Sequence, residues 1–177
     1  MSTLCVVTVL VFLHGASAQD GKTCSAMLPV CTAALTSFPA STYTGIETGA
    51  NNYGCLGSQP NPAWRYLVVE TPGRIETLLS SSGQIDFAMW GPFSSVIQAR
   101  SSCGTLPGPT DCSYSTSPTE TPILTSSMAT TTGQVFILLA LNPDNIATQI
   151  SFTQTGGTGS TDCGSTMGWY PSPPPPL

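Results

Sequence analysis

Charge is what this chain has least of. Of its 177 residues only 7% are Asp, Glu, Lys or Arg, against roughly 25% in an ordinary soluble domain. Four basic residues face nine acidic ones, for a net charge of −5. So small a basic complement excludes the phosphate-neutralising footprint of nucleic-acid binding and the polybasic patch of an anionic-membrane binder. There is one histidine, His14, and it falls in a segment expected to be removed. That excludes Ser-His-Asp and Cys-His catalysis and every His-ligated metal site. Lys22 is the only lysine and no G-x-S-x-G elbow occurs, so the many Ser and Thr hydroxyls have no base to activate them. They read as surface polarity and as acceptors for O-linked sugars. No N-x-S/T sequon is present, so N-glycosylation is not expected. No C-x-x-C pair is present either, which removes zinc-ribbon and thioredoxin readings. No apolar run reaches the roughly 18 residues of a membrane-crossing helix.

What is there begins with Leu4–Leu13, LCVVTVLVFL, followed by His14-Gly15 and Ala16-Ser17-Ala18. A short apolar run with an A-x-A ending predicts a secretory signal peptide over residues 1–18, although Met1-Ser2-Thr3 carries no basic side chain. Cleavage would leave Gln19 first and Cys5 behind. The expected protein is secreted, extracellular or at a cell surface, with no membrane insertion after signal removal.

Seven cysteines then become six: Cys24, Cys31, Cys55, Cys103, Cys112 and Cys163. An even number in a secreted chain implies disulfides. Many pairings are open. The expectation adopted is Cys24–Cys163 joining the two ends, Cys31–Cys55 across an early loop, and Cys103–Cys112 across a short loop holding Pro107 and Pro109.

Between Cys24 and Cys163 the chain is rich in Ser, Thr, Gly and Pro and poor in Lys and Glu, which disfavours long helices. Short β-branched or aromatic runs recur between turn clusters instead. They are Ala63–Glu70, Arg74–Leu79, Ile85–Trp90 (ending at Gly91-Pro92), Thr119–Thr125, Gln134–Leu141 and Thr148–Thr155. This pattern predicts an all-β fold, an antiparallel β-sandwich or jelly roll with three disulfides. Gln134–Leu141, QVFILLAL, is continuously apolar and is expected at a sheet centre with both faces covered. In Thr148–Thr155, Ile150 and Phe152 alternate with polar residues, as one buried face requires. In AWRYLVVE, Trp64, Tyr66 and Val68 share one face, and Arg65, Leu67 and Val69 the other. The module is placed at residues 19–163. Residues 164–177, GSTMGWYPSPPPPL, form a disordered Pro-rich tail or linker, since four successive prolines favour polyproline II and cannot join a sheet.

Three blocks, in order, carry a resemblance. They are Asn52 to Trp64 (NYGCLGSQPNPAW), Gln84 to Phe93 (QIDFAMWGPF), and Asp111 to Ser115 (DCSYS), the last followed by Glu120, by Gly133 with its apolar strand, and by Gly156 to Cys163. The order resembles a secreted β-sandwich accessory domain of Bacteroidetes-type surface proteins. It is more distantly similar to bacterial pre-peptidase C-terminal domains. The resemblance implies a non-catalytic β-sandwich, in a group some of whose members bind calcium or polysaccharide. Two features depart from it: Arg65 stands where an aromatic is expected, and Thr125–Thr132 lacks the acids or amides of a calcium site. The Ser-Pro-Pro-Pro-Pro tail instead resembles hydroxyproline-rich algal and plant matrix glycoproteins.

Candidate chemistry rests on few groups. Asp86, flanked by Ile85 and Phe87, is the carboxylate expected to be buried. It reads first as a structural acceptor for backbone N–H groups near the Gly91-Pro92 turn. Calcium needs several oxygens, and Asp86, Asp111 and Glu120 are the set that a folded-over loop would bring together, without EF-hand spacing. A glycosidase would need Asp86 paired with Glu70 or Glu120. Sugar faces pack on aromatic rings, which makes Trp64, Trp90, Phe93 and Tyr114 the ligand-binding candidates. No catalytic residue is assigned. The function expected is a non-catalytic secreted cell-surface or extracellular-matrix module, for adhesion or carbohydrate binding. Its partner would be an extracellular polysaccharide or matrix glycoprotein, not nucleic acid. The alternatives are a purely structural glycoprotein spacer and, behind it, a small secreted glycoside hydrolase.

Overall fold

A computed structural model describes residues 20–32, 36–47, 49–124 and 130–164. The expected signal peptide at 1–18 and all of the Pro-rich tail except Gly164 lie outside the described residues. So does Thr125, the end of one expected strand.

The chain folds as an all-β sandwich of two sheets. The strands are β1 (Leu28–Pro29), β2 (Thr36–Pro39), β3 (Ala63–Thr71), β4 (Glu76–Ser80), β5 (Asp86–Phe93), β6 (Asp111–Ser113), β7 (Thr119–Glu120), β8 (Val135–Leu141), β9 (Gln149–Gly156) and β10 (Ser160–Thr161). The first sheet has the order β1-β3-β8-β5-β6, with β10 also paired to β3. The second has the order β2-β9-β4-β7. Only the short β1 runs parallel to its neighbour; every other strand pair is antiparallel.

Strand periodicity explains the packing. Side chains alternate across each sheet, so β3 sends Leu67 and Val69 inward and Trp64 and Tyr66 outward. The inward set meets Phe38 of β2, Leu79 of β4 and Ile150 and Phe152 of β9 in the core between the sheets. The outward set forms a second core with Ala88 and Trp90 of β5, Ile137 and Leu139 of β8, and Tyr53, Leu56, Ala99 and Leu106 of the covering segments. The first sheet is therefore covered on both sides, by a sheet on one and by loops and a short helix on the other. All seven residues of β8 are buried, as expected for its unbroken apolar sequence. β9 has one buried face, with Ile150 and Phe152 inside.

The covering helix, α1 (Val96–Ser101), starts at Ser95, whose hydroxyl accepts from the Gln98 N–H. This is an ordinary N-cap, which satisfies one of the donors that a helix start leaves unpaired. β5 does not end before Gly91-Pro92 as expected. It continues through that cis peptide to Phe93, with an irregularity in its register against β8 between Trp90 and Phe93. Only glycine fits there, because a Cβ at Gly91 would lie 2.5 Å from the Phe136 ring. The expected strand Thr119–Thr125 is short: β7 stops at Glu120, and Ile123 makes only an isolated bridge to Glu76.

The three disulfides are Cys24–Cys103, Cys31–Cys163 and Cys55–Cys112. This corrects all three expected pairings, Cys24–Cys163, Cys31–Cys55 and Cys103–Cys112. The reason is the covering layer. Cys103 follows α1 and packs beside Cys24 over the outer face of the first sheet, whereas Cys112 is carried on edge strand β6, paired with Ala88. Their closeness in sequence is undone because the intervening segment runs from the outer face, where the Leu106 carbonyl accepts from Asn52 N–H, to the sheet edge, where Thr110 N–H donates to the Met89 carbonyl. Cys112 thus meets Cys55 of the 49–60 segment. Cys31 and Cys163 meet because β1 and β10 both flank β3.

Candidate functional site

Trp64 and Trp90 are completely buried, which removes them as a sugar platform. Their rings stack at 5.6 Å between centroids, and Tyr53 meets Trp90 edge-on at 6.2 Å. Each polar tip has a partner, as buried indoles require. Trp90 Nε1 donates to the carbonyls of Pro107 (2.9 Å) and Asn52 (3.2 Å). Trp64 Nε1 donates to Glu47 Oε2 at 2.5 Å. The half-buried Glu47 carboxyl is raised above the ordinary range by burial, an effect opposed by the hydrogen bonds from Trp64 and Tyr53. Glu47 is not legible in the sequence, since nothing along the chain shows that its loop folds over an indole.

Asp86 is fully buried, as its apolar flanks suggested, but its donor is not at the Gly91-Pro92 turn. That turn lies at the far end of β5. The Asp86 carboxylate accepts from Ser115 N–H (2.9 Å) and from the Gln84 side-chain amide (3.3 Å). Burial raises its pKa; the Ser115 and Gln84 hydrogen bonds oppose this, and the charges of Glu120 and Asp144 add to it. Glu120, also buried, accepts from the Ser115 hydroxyl at 2.5 Å. Ser115 therefore links Asp86 and Glu120.

Asp111 does not join them, because its carboxylate turns to Ile123 N–H at 2.8 Å. Among the described residues no group of three or more His, Cys, Asp and Glu side chains is arranged to hold a metal ion. The proposed calcium set of Asp86, Asp111 and Glu120 is thus split. Glu70 is likewise distant from Asp86. It lies at the opposite end of the sandwich, where its carboxylate accepts from Ser160 and its carbonyl from Thr132.

Two of the expected aromatics do reach the surface. Tyr114 is exposed beside Gly57. Phe93 is half-buried and lines an open groove of about 480 Å³ between the β5–α1 turn and the turn that enters β8. Its other walls are Pro92, Ser94, Gln98 and residues 131–134. No charged residue lines it. Gln98 Oε1 accepts from Ser94 N–H (2.6 Å) and Ser94 Oγ (2.8 Å), and Gln134 Oε1 accepts from Thr131 N–H (2.9 Å). With both carboxamide oxygens engaged, these side chains offer their N–H2 groups as donors. An aromatic ring flanked by amide donors and threonine hydroxyls suits a neutral, polyhydroxylated ligand.

Gln98 and Gln134 were missed in the sequence because a glutamine beside a turn carries no signal of its own. Compared with families of proteins, with curated proteins and with solved structures, this chain matches none. No helix among the described residues is long and apolar enough to cross a membrane.

Proposed function

We propose that this protein is a secreted, non-catalytic module of an extracellular matrix or cell surface, and that it binds neutral polysaccharide. The observation that carries the reading is the uncharged groove at Phe93, with its two fixed carboxamides. Ligand sites are commonly mostly apolar concavities with a few convergent polar groups, and here every polar group is neutral. The three disulfides support an oxidising compartment. The buried placement of Asp86 and Glu120 favours a structural role for both over turnover.

The test is a pull-down of the oxidised protein on cellulose, xyloglucan, galactomannan and arabinogalactan, with polygalacturonate as the charged control. The expected result is retention on one or more neutral polymers, unchanged by chelator and weakened in Phe93→Ala. Retention on polygalacturonate alone, or on nothing, would overturn the reading. Chelator-sensitive retention would instead restore a calcium role.

A further inference from the structure

The most exposed large hydrophobic residue among the described residues is Tyr43, 87% accessible. It was not singled out in the sequence, although an aromatic in a Thr-Gly turn is a sign of a loop side chain. Its backbone is left-handed, with φ 54°, a region that a bulky residue occupies only when its surroundings impose it. The surroundings are unusually well built.

Tyr43 N–H donates to Asn145 Oδ1 at 2.8 Å. One residue on, Thr44 N–H donates to Asn61 Oδ1 at 3.1 Å. Asn61 N–H returns to the Gly45 carbonyl at 2.8 Å. Two residues back, the Ser41 carbonyl accepts from Asn142 Nδ2 at 2.9 Å. Asn61 Nδ2 and the Asn142 carbonyl close the lattice at 3.0 Å. Asn61 and Asn142 are themselves buried, so their amides are withdrawn from water to fix this one loop. The rigid pedestal ends in a phenol ring held in solvent, which lowers the entropy that a ligand must remove to stack on it.

A shallow depression adjoins the pedestal. Its walls are Pro39 and Ala40, which lead into the Tyr43 loop, and Ala147, Thr148 and Gln149, which follow Asn145 and Ile146. No charged residue lines it either. Its polar walls, Thr148 and Gln149, are a hydroxyl and an amide, as neutral as those of the Phe93 groove, and Tyr43 stands three residues beyond Ala40, outside the lining.

The two places lie at opposite ends of the sandwich. Phe93 pairs with Val135 at the start of β8, and Asp86 pairs with Leu141 at its end. Residues 142–145, which hold Tyr43, follow Leu141 directly. The seven residues of β8 therefore separate the sites by roughly 20 Å, at about 3.3 Å per residue.

We propose that Tyr43 is a second neutral-glycan contact, and that the two ends let one molecule bridge two polysaccharide chains. This rests on the neutral-polymer reading of the Phe93 groove.

The experiment uses the full disulfide-bonded protein. Affinity electrophoresis is run in gels containing xyloglucan, galactomannan or arabinogalactan, and solution viscosity is measured with the same polymers. Tyr43→Ala, Tyr43→Phe and Phe93→Ala are compared with the parent. The parent is expected to be retarded and to raise viscosity. Tyr43→Ala should keep retardation through the other end but weaken it about three- to tenfold, in line with the energy of one aromatic contact, and it should lose the viscosity increase. Tyr43→Phe should retain both, because the ring face is kept. A matching far-ultraviolet spectrum and melting temperature establish that the Tyr43 variants are folded.

If Tyr43→Ala behaves as the parent in both measurements, the bridging proposal fails while the Phe93 reading stands. If the parent is not retarded by any polymer, the Phe93 reading fails and bridging fails with it. A concentration-dependent dimer that Tyr43→Ala abolishes, without change in retardation, would reassign Tyr43 to self-association and overturn the proposal.

Discussion

Trp64 donates its indole N–H to Glu47 Oε2 at 2.5 Å, so an aromatic of β3 beneath the covering layer is tied to a carboxylate of the loop above it. Burial raises the Glu47 pKa, with the Trp64 and Tyr53 hydrogen bonds opposing. Burial is also the largest influence raising Asp86. A carboxyl whose native pKa lies above its unfolded value takes up its proton first in the folded state. Stability therefore rises as pH falls through the native pKa, and the gain is complete below the unfolded value. The expected outcome is a melting temperature that increases as the pH is lowered from neutral toward the ordinary carboxylate range. A melting temperature that declines across that interval would show the two carboxyls to be held down rather than up.

Asp86→Asn should flatten that pH dependence and leave neutral-pH stability equal or higher. The amide keeps an oxygen for Ser115 N–H and removes a buried charge close to Glu120 and Asp144. Asp86→Ala removes the acceptor and should cost about 1–3 kcal/mol, the usual penalty for a stranded buried donor. Urea denaturation of both variants at neutral pH separates the two effects. Equal losses in Asn and Ala would mean that the negative charge itself is needed.

Gly157→Ala should be severely destabilising. Its φ is +90°, and a Cβ there would lie 1.9 Å from the Arg74 carbonyl oxygen, a backbone atom that cannot swing aside. A loss of at least about 2 kcal/mol is expected, from steric overlap and left-handed strain together. Gly104→Ala is the comparison, since it has a similar positive φ but no neighbour within 4 Å of a Cβ. It should lose clearly less in the same chemical denaturation series.

Non-reducing digestion with mass spectrometry should recover Cys24–Cys103, Cys31–Cys163 and Cys55–Cys112. The double replacement Cys31→Ser with Cys163→Ser should cost about 2–5 kcal/mol, because it releases the longest of the three loops. Recovery of a Cys103–Cys112 peptide would overturn the placement of Cys103 beside Cys24 and of Cys112 beside Cys55.

The strands that were legible in the sequence are those whose periodicity had one cause. β8 read as doubly covered because every residue is apolar, and β9 read as singly covered because Ile150 and Phe152 alternate with polar neighbours. β3 is subtler: its alternation separates the two faces, yet the sequence alone shows Arg65 only as a departure from the pattern. Arg65 is in fact buried, with its guanidinium 4.3 Å from the Phe38 ring centroid and Nη1 on the Trp64 carbonyl. A long side chain with an aromatic to lie against can take an inward strand position that a pattern of apolar residues would not offer it.

β1, β6 and β10 were not legible because two or three residues make no period, and their pairing comes from the disulfides and loops around them. The pairing of the cysteines failed for a related reason. Loop length favours neighbours, but the covering layer is assembled from segments distant in sequence. The same distinction governs the aromatics: Trp64 and Trp90 sit on strands and are core, whereas Tyr43 sits in a turn and is not.

The Cys31–Cys163 bridge joins two positions 132 residues apart, beside the shared neighbour of β1 and β10. Consider a pull applied at Asp20 and Gly164. The shortest covalent route between them runs through β1 to Cys31 and across the sulfurs to Cys163, so tension bypasses every longer strand and the Phe93 groove. The molecule would lengthen by only the few residues outside the bridge until that bond was reduced, and a redox change would turn a nearly inextensible link into a long, slack one.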